Sequence, residues 1–216
     1  MAHSKRHDIT SLSPPGEEDS VAGDERGASS VEFAIVFILV LILTFGIVEM
    51  ALVLQQWNAA DTATQLGVRR AVVSAPVAPN LTGFDGKGGA LADGAPCTRG
   101  DGTVENVCFP GGNPVTCTSG GCTGFGYSGA AFTAILTEMR RALPRIQPAN
   151  VQVEYRYVGL GFVGRPGGLP PIVTVRLTGM TYDMIVLDRL VGIAKGMSMP
   201  PIAASLPGED LSNTTP

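Results

Sequence analysis

Glu32 stands four residues after Ala28 and five after Gly27, in the run Gly27-Ala28-Ser29-Ser30-Val31-Glu32-Phe33, where the chain turns apolar. A carboxylate inside a bilayer costs about 2.5 kcal/mol or more at the centre and less near the interface, so it is normally retained for a partner or a role. A cut after Gly27 would leave an amine on Ala28 that shares a helix face with Glu32, and the two charges would offset each other. The competing reading is a solvated carboxylate at headgroup level.

Other groups capable of chemistry are few. The only histidines, His3 and His7, precede the apolar run, which leaves no Ser-His-Asp or Cys-His arrangement for the segment beyond it. Asp85, Asp93, Asp101 and Glu105 offer carboxylates for acid–base work, but their glycine-rich surroundings supply no apolar wall to raise a pKa. Gly159-x-Gly161-x-x-Gly164, with Asp183 about twenty residues on, matches the outline of a dinucleotide fingerprint. The helix such a site needs cannot form through Arg165-Pro166-Gly167-Gly168-Leu169-Pro170-Pro171, so these glycines read as a hairpin loop. The net charge of -4 with scattered cations gives no basic footprint for nucleic acid. The expectation is a non-enzyme with no cofactor, no metal and no small-molecule substrate.

The element that must position Glu32 is the apolar run from Val31 to Leu54, about 24 residues or roughly 36 Å of helix against a hydrocarbon core of about 30 Å. Thr44 and Gly46 are tolerated in such a helix, Glu49 falls towards its far interface, and Trp57, the only tryptophan, follows as an interfacial anchor. The run exceeds the usual core of roughly 7 to 15 residues in a cleaved secretory signal, and no Ala-x-Ala-like site closes it. Arg26 abuts the start of the run and no cation follows Leu54 until Arg69, which favours a cytoplasmic N-terminus and a head outside. Residues 1–27, rich in Ser, Pro, Gly and acids, read as a disordered cytoplasmic leader.

Taken together, Arg26-Gly27, Ala28-Ser29-Ser30-Val31, Glu32-Phe33 and an apolar helix carrying Phe45-Gly46-Ile47-Val48-Glu49 resemble the TadE-like minor pseudopilins of tight-adherence (Flp) pilus systems. The resemblance continues through Asn58-Ala59-Ala60 and Gly67-Val68-Arg69, about the first third of the chain, and beyond that holds only in outline. It implies that a prepilin peptidase cuts after Gly27, so that Ala28 becomes the N-terminus and Glu32 the fifth residue. It further implies that Glu32 pairs with the amine of a neighbouring subunit and sets axial register. The implied partners are the prepilin peptidase, other pilin-like subunits, the inner-membrane pilus platform and the lipid bilayer. The implied place is the cytoplasmic (inner) membrane, with a possible association with the pilus.

The helix should run from 28 to 75, since Pro76 makes Ala75 a boundary. Ala59, Ala63, Gly67 and Ala71 recur every four residues, a stripe that permits close packing against the protein's own head or another subunit's helix. Residues 76–127 read as a Gly/Pro/Cys-rich loop containing Cys97, Cys108, Cys117 and Cys122, and an even count outside the cytoplasm favours two disulfides over a metal. Three connectivities are open, of which sequential pairing is the simplest. The remainder, 128–216, reads as an α+β head. It comprises an amphipathic helix over Ser128 to Leu143, strands over Val151 to Tyr157 and Val173 to Thr178 joined as an antiparallel hairpin, a short helix over Tyr182 to Ile193, and an edge strand over Ser198 to Ser205.

The function expected is support of pilus or related secretion assembly by a single-pass pseudopilin. The alternatives are a signal-anchored module whose stapled loop binds an extracytoplasmic ligand, and an anchored hydrolase working with carboxylates.

Overall fold

The computed structural model describes residues 19–87, 91–98, 108–109, 114–182, 184, 189, 197–208 and 211, with the backbone alone for 19–26. The chain divides into two units, Met1–Ile47 and Val48–Pro216. Helix α1, Asp19–Val72, contributes to both. Its start lies within the stretch read from sequence as unstructured leader. Adding residues to an existing helix fixes one residue per hydrogen bond gained, so a long apolar helix readily extends into poor helix-formers. Residues 1–18 of that leader lie outside the described residues.

The second unit is α+β. Strands β1 (Val115–Thr118), β2 (Gly121–Cys122), β3 (Val151–Arg156), β4 (Ile172–Leu177) and β7 (Ile202–Pro207) form a sheet in the order β2-β1-β3-β4-β7, every pair antiparallel. Strands β5 (Thr181–Tyr182) and β6 (Met197–Ser198) pair separately. Residues Val151, Val153 and Tyr155 face Leu177, Val175 and Val173 in register, so the alternation of each strand delivers one apolar face to the core.

That face is covered by helix α2, Gly129–Ala142, and by the second half of α1. Ser128 caps α2, its Oγ accepting from the Ala131 N–H at 3.3 Å, and Phe132, Ile135, Leu136 and Met139 turn inward at helical spacing. On α1, Ala60, Ala63, Val68 and Ala71 are buried, and a Cβ built on Gly67 would lie 2.8 Å from Met139 Cγ and 3.2 Å from Val175 Cγ1. The small-residue stripe therefore lets α1 approach its own head. Trp57, expected at a bilayer interface, packs half-buried against the same core.

Two sequence expectations change, and a third falls mostly outside the described residues. The segment 76–127 is not wholly loop: β1 and β2 lie in it, and β1 adds to the sheet through Val115 opposite Tyr155 and Cys117 opposite Val153. Nor is it poor in apolar packing, because Phe84, Phe109 and Phe125 cluster on Tyr157, with Phe109 stacked on the tyrosine at 4.6 Å. The short helix expected over Tyr182 to Ile193 lies mostly outside the described residues, and Tyr182 itself belongs to β5. The edge strand is β7, and Pro200 and Pro201 precede it because proline cannot donate to a ladder.

Tyr155 joins α1's exit to the sheet. Its side chain is fully buried, and its Oη accepts the Val77 N–H at 2.9 Å. Burial pushes its pKa up to about 12, against a smaller opposing effect of the Val77 bond. A folded-state value above the unfolded 10.0 means the folded chain holds a proton that the unfolded chain releases. The contribution is therefore intact below pH 10 and lost as pH rises through about 12. A difference of that size corresponds to about 3 kcal/mol. Urea titrations between pH 9 and 12, read by Trp57 fluorescence, should show a shallower fall in stability for Tyr155→Phe than for the wild type. At neutral pH the variant should be about 1–3 kcal/mol less stable, since a buried N–H has lost its acceptor.

Candidate processing and assembly site

Residues 28–40 of α1 are exposed along their whole length, and from Gly27 to Ile47 only Ile42 and Gly46 are even half-covered. An 18-residue window of this helix has a mean hydropathy of 2.9 with none of it buried. A core helix of a water-soluble protein hides such a surface. Here Phe33, Ile35, Val36, Leu39, Leu43 and Ile47 are bare, far more than the scattered apolar residues of an ordinary surface. The helix is long and apolar enough to cross a membrane. Its one hydroxyl within the run is internally satisfied, Thr44 Oγ1 donating to the Leu41 carbonyl at 2.9 Å, as a hydrocarbon environment requires.

Gly27, Ala28 and Glu32 all lie on α1. Helical geometry places Ala28 and Glu32 one turn apart on one face. Glu32 is exposed, and nothing lies within 4 Å of a Cβ added to Gly27, so the absence of a side chain there has no packing cause. Phe33 and Phe37 stack along the helix with ring centroids 5.9 Å apart.

The four cysteines are joined as Cys97–Cys108 and Cys117–Cys122, the sequential pairing, which commits all four sulfurs. The first bridge adjoins Phe109 in sequence and is buried in the same core. The second crosses the β1–β2 hairpin between residues directly opposed in register. Burial pushes the Tyr157 hydroxyl above its ordinary range, and the neighbouring Tyr155 adds to the shift.

Of the candidate catalytic carboxylates, Asp85 and Asp93 flank Lys87 Nζ at 3.7 and 3.9 Å on the surface, while Asp101 and Glu105 lie outside the described residues. Such exposed pairs are solvated charge. The glycines of the apparent nucleotide fingerprint serve packing. Gly159, at φ 80°, leaves room for the Cys97 carbonyl, which would lie 3.1 Å from an added Cβ. No helix follows Gly164; the chain runs to β4.

Two acids sit in surroundings that the sequence did not show, Glu49 having been expected towards the far interface of the span. Glu49 is buried in the second unit, on the α1 face that also carries Ala60 and Ala63. Glu154 is buried on the sheet face opposite the core, meeting Arg156 Nη2 at 2.9 Å and Arg176 Nη2 at 3.5 Å. Strand alternation placed Glu154 on the polar face, but only the register shows that Arg176 reaches it from β4.

No curated protein and no solved structure matches the chain. One family model does. It covers residues 27–69, from the glycine at the start of the bare helix, through Glu32, to Arg69 beside the head: over this N-terminal segment the chain is similar to the TadE-like proteins.

Proposed function

We propose that the chain is a single-pass minor pseudopilin that supports assembly of a tight-adherence (Flp) pilus or a related secretion apparatus. The TadE-like family is pilus-associated and is not an enzyme family, and the match includes both Gly27 and Glu32. The observation that carries the reading is an unburied apolar helix with one carboxylate near its start, one turn beyond Ala28. A bilayer covers the apolar surface, and an amine, on this chain or a neighbour, answers the charge. In this reading a prepilin peptidase cuts after Gly27, residues 1–27 stay cytoplasmic, and the head folds outside the inner membrane. There oxidising conditions maintain the two bridges. The partners are other pilin-like subunits and the membrane platform.

The test is the native N-terminus. Mass spectrometry of protein recovered from cells with an active pilus system should find a chain beginning at Ala28, and replacing Gly27 with a bulky residue should leave the longer precursor. A terminus at Met1 or Ala2 would return the chain to a signal-anchored binding module.

A further inference from the structure

The peptide bond between Gly27 and Ala28 lies inside α1, roughly two and a half turns from its start at Asp19. In an α-helix the Gly27 carbonyl accepts the N–H of Val31, and adjoining turns crowd its carbon. A nucleophile cannot reach that carbon, nor can a peptidase's donors reach the oxygen, until the bond to Val31 opens. Helical order at the scissile bond therefore opposes the cleavage proposed above, and this inference rests on that reading.

Where the helix can open is set by its surroundings. Residues 28–40 are exposed along their length, so burial does not hold this stretch closed. Beyond Val31 the apolar run lies in hydrocarbon, where each unsatisfied backbone group costs several kcal/mol, so opening stops there. Before Val31 the freed groups meet water. The sequence from Asp19, Asp-Ser-Val-Ala-Gly-Asp-Glu-Arg-Gly-Ala-Ser-Ser, is rich in weak helix-formers, and its two glycines are the weakest of them. Gly27 adjoins the cut. Gly23 is one turn before it and has no part in the bond broken.

We propose that cleavage passes through a frayed state of the first turns of α1, and that Gly23 acts with Gly27 to set how often that state is reached. Gly27 thus has two roles, as the residue at the cut and as a weak point of the helix. Gly23 has only the second. The peptidase reacts with the open fraction, so any change in the opening equilibrium appears directly in kcat/KM.

The experiment uses the full-length chain in vesicles with an active prepilin peptidase, comparing wild type, Gly23→Ala and Gly23→Pro, with amide hydrogen exchange of residues 19–30 measured on the same samples. Gly23→Ala should be cut about fivefold more slowly, the factor that corresponds to ~1 kcal/mol of helix propensity, and its amides should exchange correspondingly more slowly. Gly23→Pro, which interrupts the helix, should be cut at least as fast as the wild type. Equal rates for alanine and glycine despite slower exchange would overturn the proposal and leave the processing site standing. A slower cut with unchanged exchange would also overturn it, since the peptidase would then be reading position 23 directly. No cut in the wild type would overturn the processing reading itself, and this inference with it.

Discussion

Glu32→Gln should insert into the membrane at least as well as the wild type and be processed to Ala28, yet fail to support assembly. Removing an exposed carboxylate from an apolar helix relieves a cost that reaches about 2.5 kcal/mol at the bilayer centre, so abundance should not fall. In the proposed role, what is lost is the attraction between carboxylate and amine in a low-dielectric layer. Hydrogen bonds to charged groups contribute about 1.5–3 kcal/mol where neutral ones contribute about 1. A loss of about 1.4 kcal/mol is a factor of ten in association, so incorporation into the apparatus should drop by tenfold or more. Glu32→Asp should recover part of the effect, since it keeps the charge and only shortens the reach. Counting pili and quantifying the membrane-bound protein in the same strains separates assembly from abundance. Normal piliation in Glu32→Gln at normal abundance would mean that Glu32 merely meets water at the headgroups.

Gly67→Leu should be the most destabilising single change in the head, at about 3 kcal/mol or more, with Gly67→Ala well behind. Alanine gains about 1 kcal/mol of helix propensity, but its Cβ would come within 2.8 Å of Met139 Cγ and 3.0 Å of Met139 Sδ. Overpacking typically costs 1–3 kcal/mol, so the net for alanine should be a loss of roughly 0–2 kcal/mol. Leucine adds three more carbons against Val175, which cannot swing aside as a methionine can. Because Trp57 packs on the same core and is the only tryptophan, denaturation followed by its fluorescence reports this unit alone. Met139→Ala should recover part of the loss in the Gly67→Ala background and be destabilising by itself, a coupling expected only if the two side chains compete for one volume.

What the sequence disclosed depended on the range of the interaction involved. Gly27, Glu32 and the apolar run are local features, and helical spacing alone puts Ala28 and Glu32 on one face. Helix α2 and the β3–β4 hairpin were equally legible, because Phe132 to Met139 repeat with the helical period and Val151 to Tyr155 alternate with the strand period. Strand β1 was not. Its four residues carry only two inward positions, Val115 and Cys117, amid glycine and proline, and its pairing partner lies far along the chain. The stripe through Ala63, Gly67 and Ala71 announced close packing without saying against what, because Met139 reaches it through tertiary structure. Glu154 looked like one more exposed strand residue until the register brought Arg176 beside it.

The packing of α1 on the sheet also bears on how a pull is transmitted. From Ala60 to Val77 the helix and its exit are held to the head by side chains distributed along the axis, ending at the Tyr155 hydroxyl. Tension on the head reaches the helix as shear across all of these contacts together, so no one bond bears it and no short linker can stretch first. In the proposed role, a subunit tugged during secretion or fibre growth would transmit displacement to residue 48 with little slack. At its edge, β7 is held in the sheet by β4 alone.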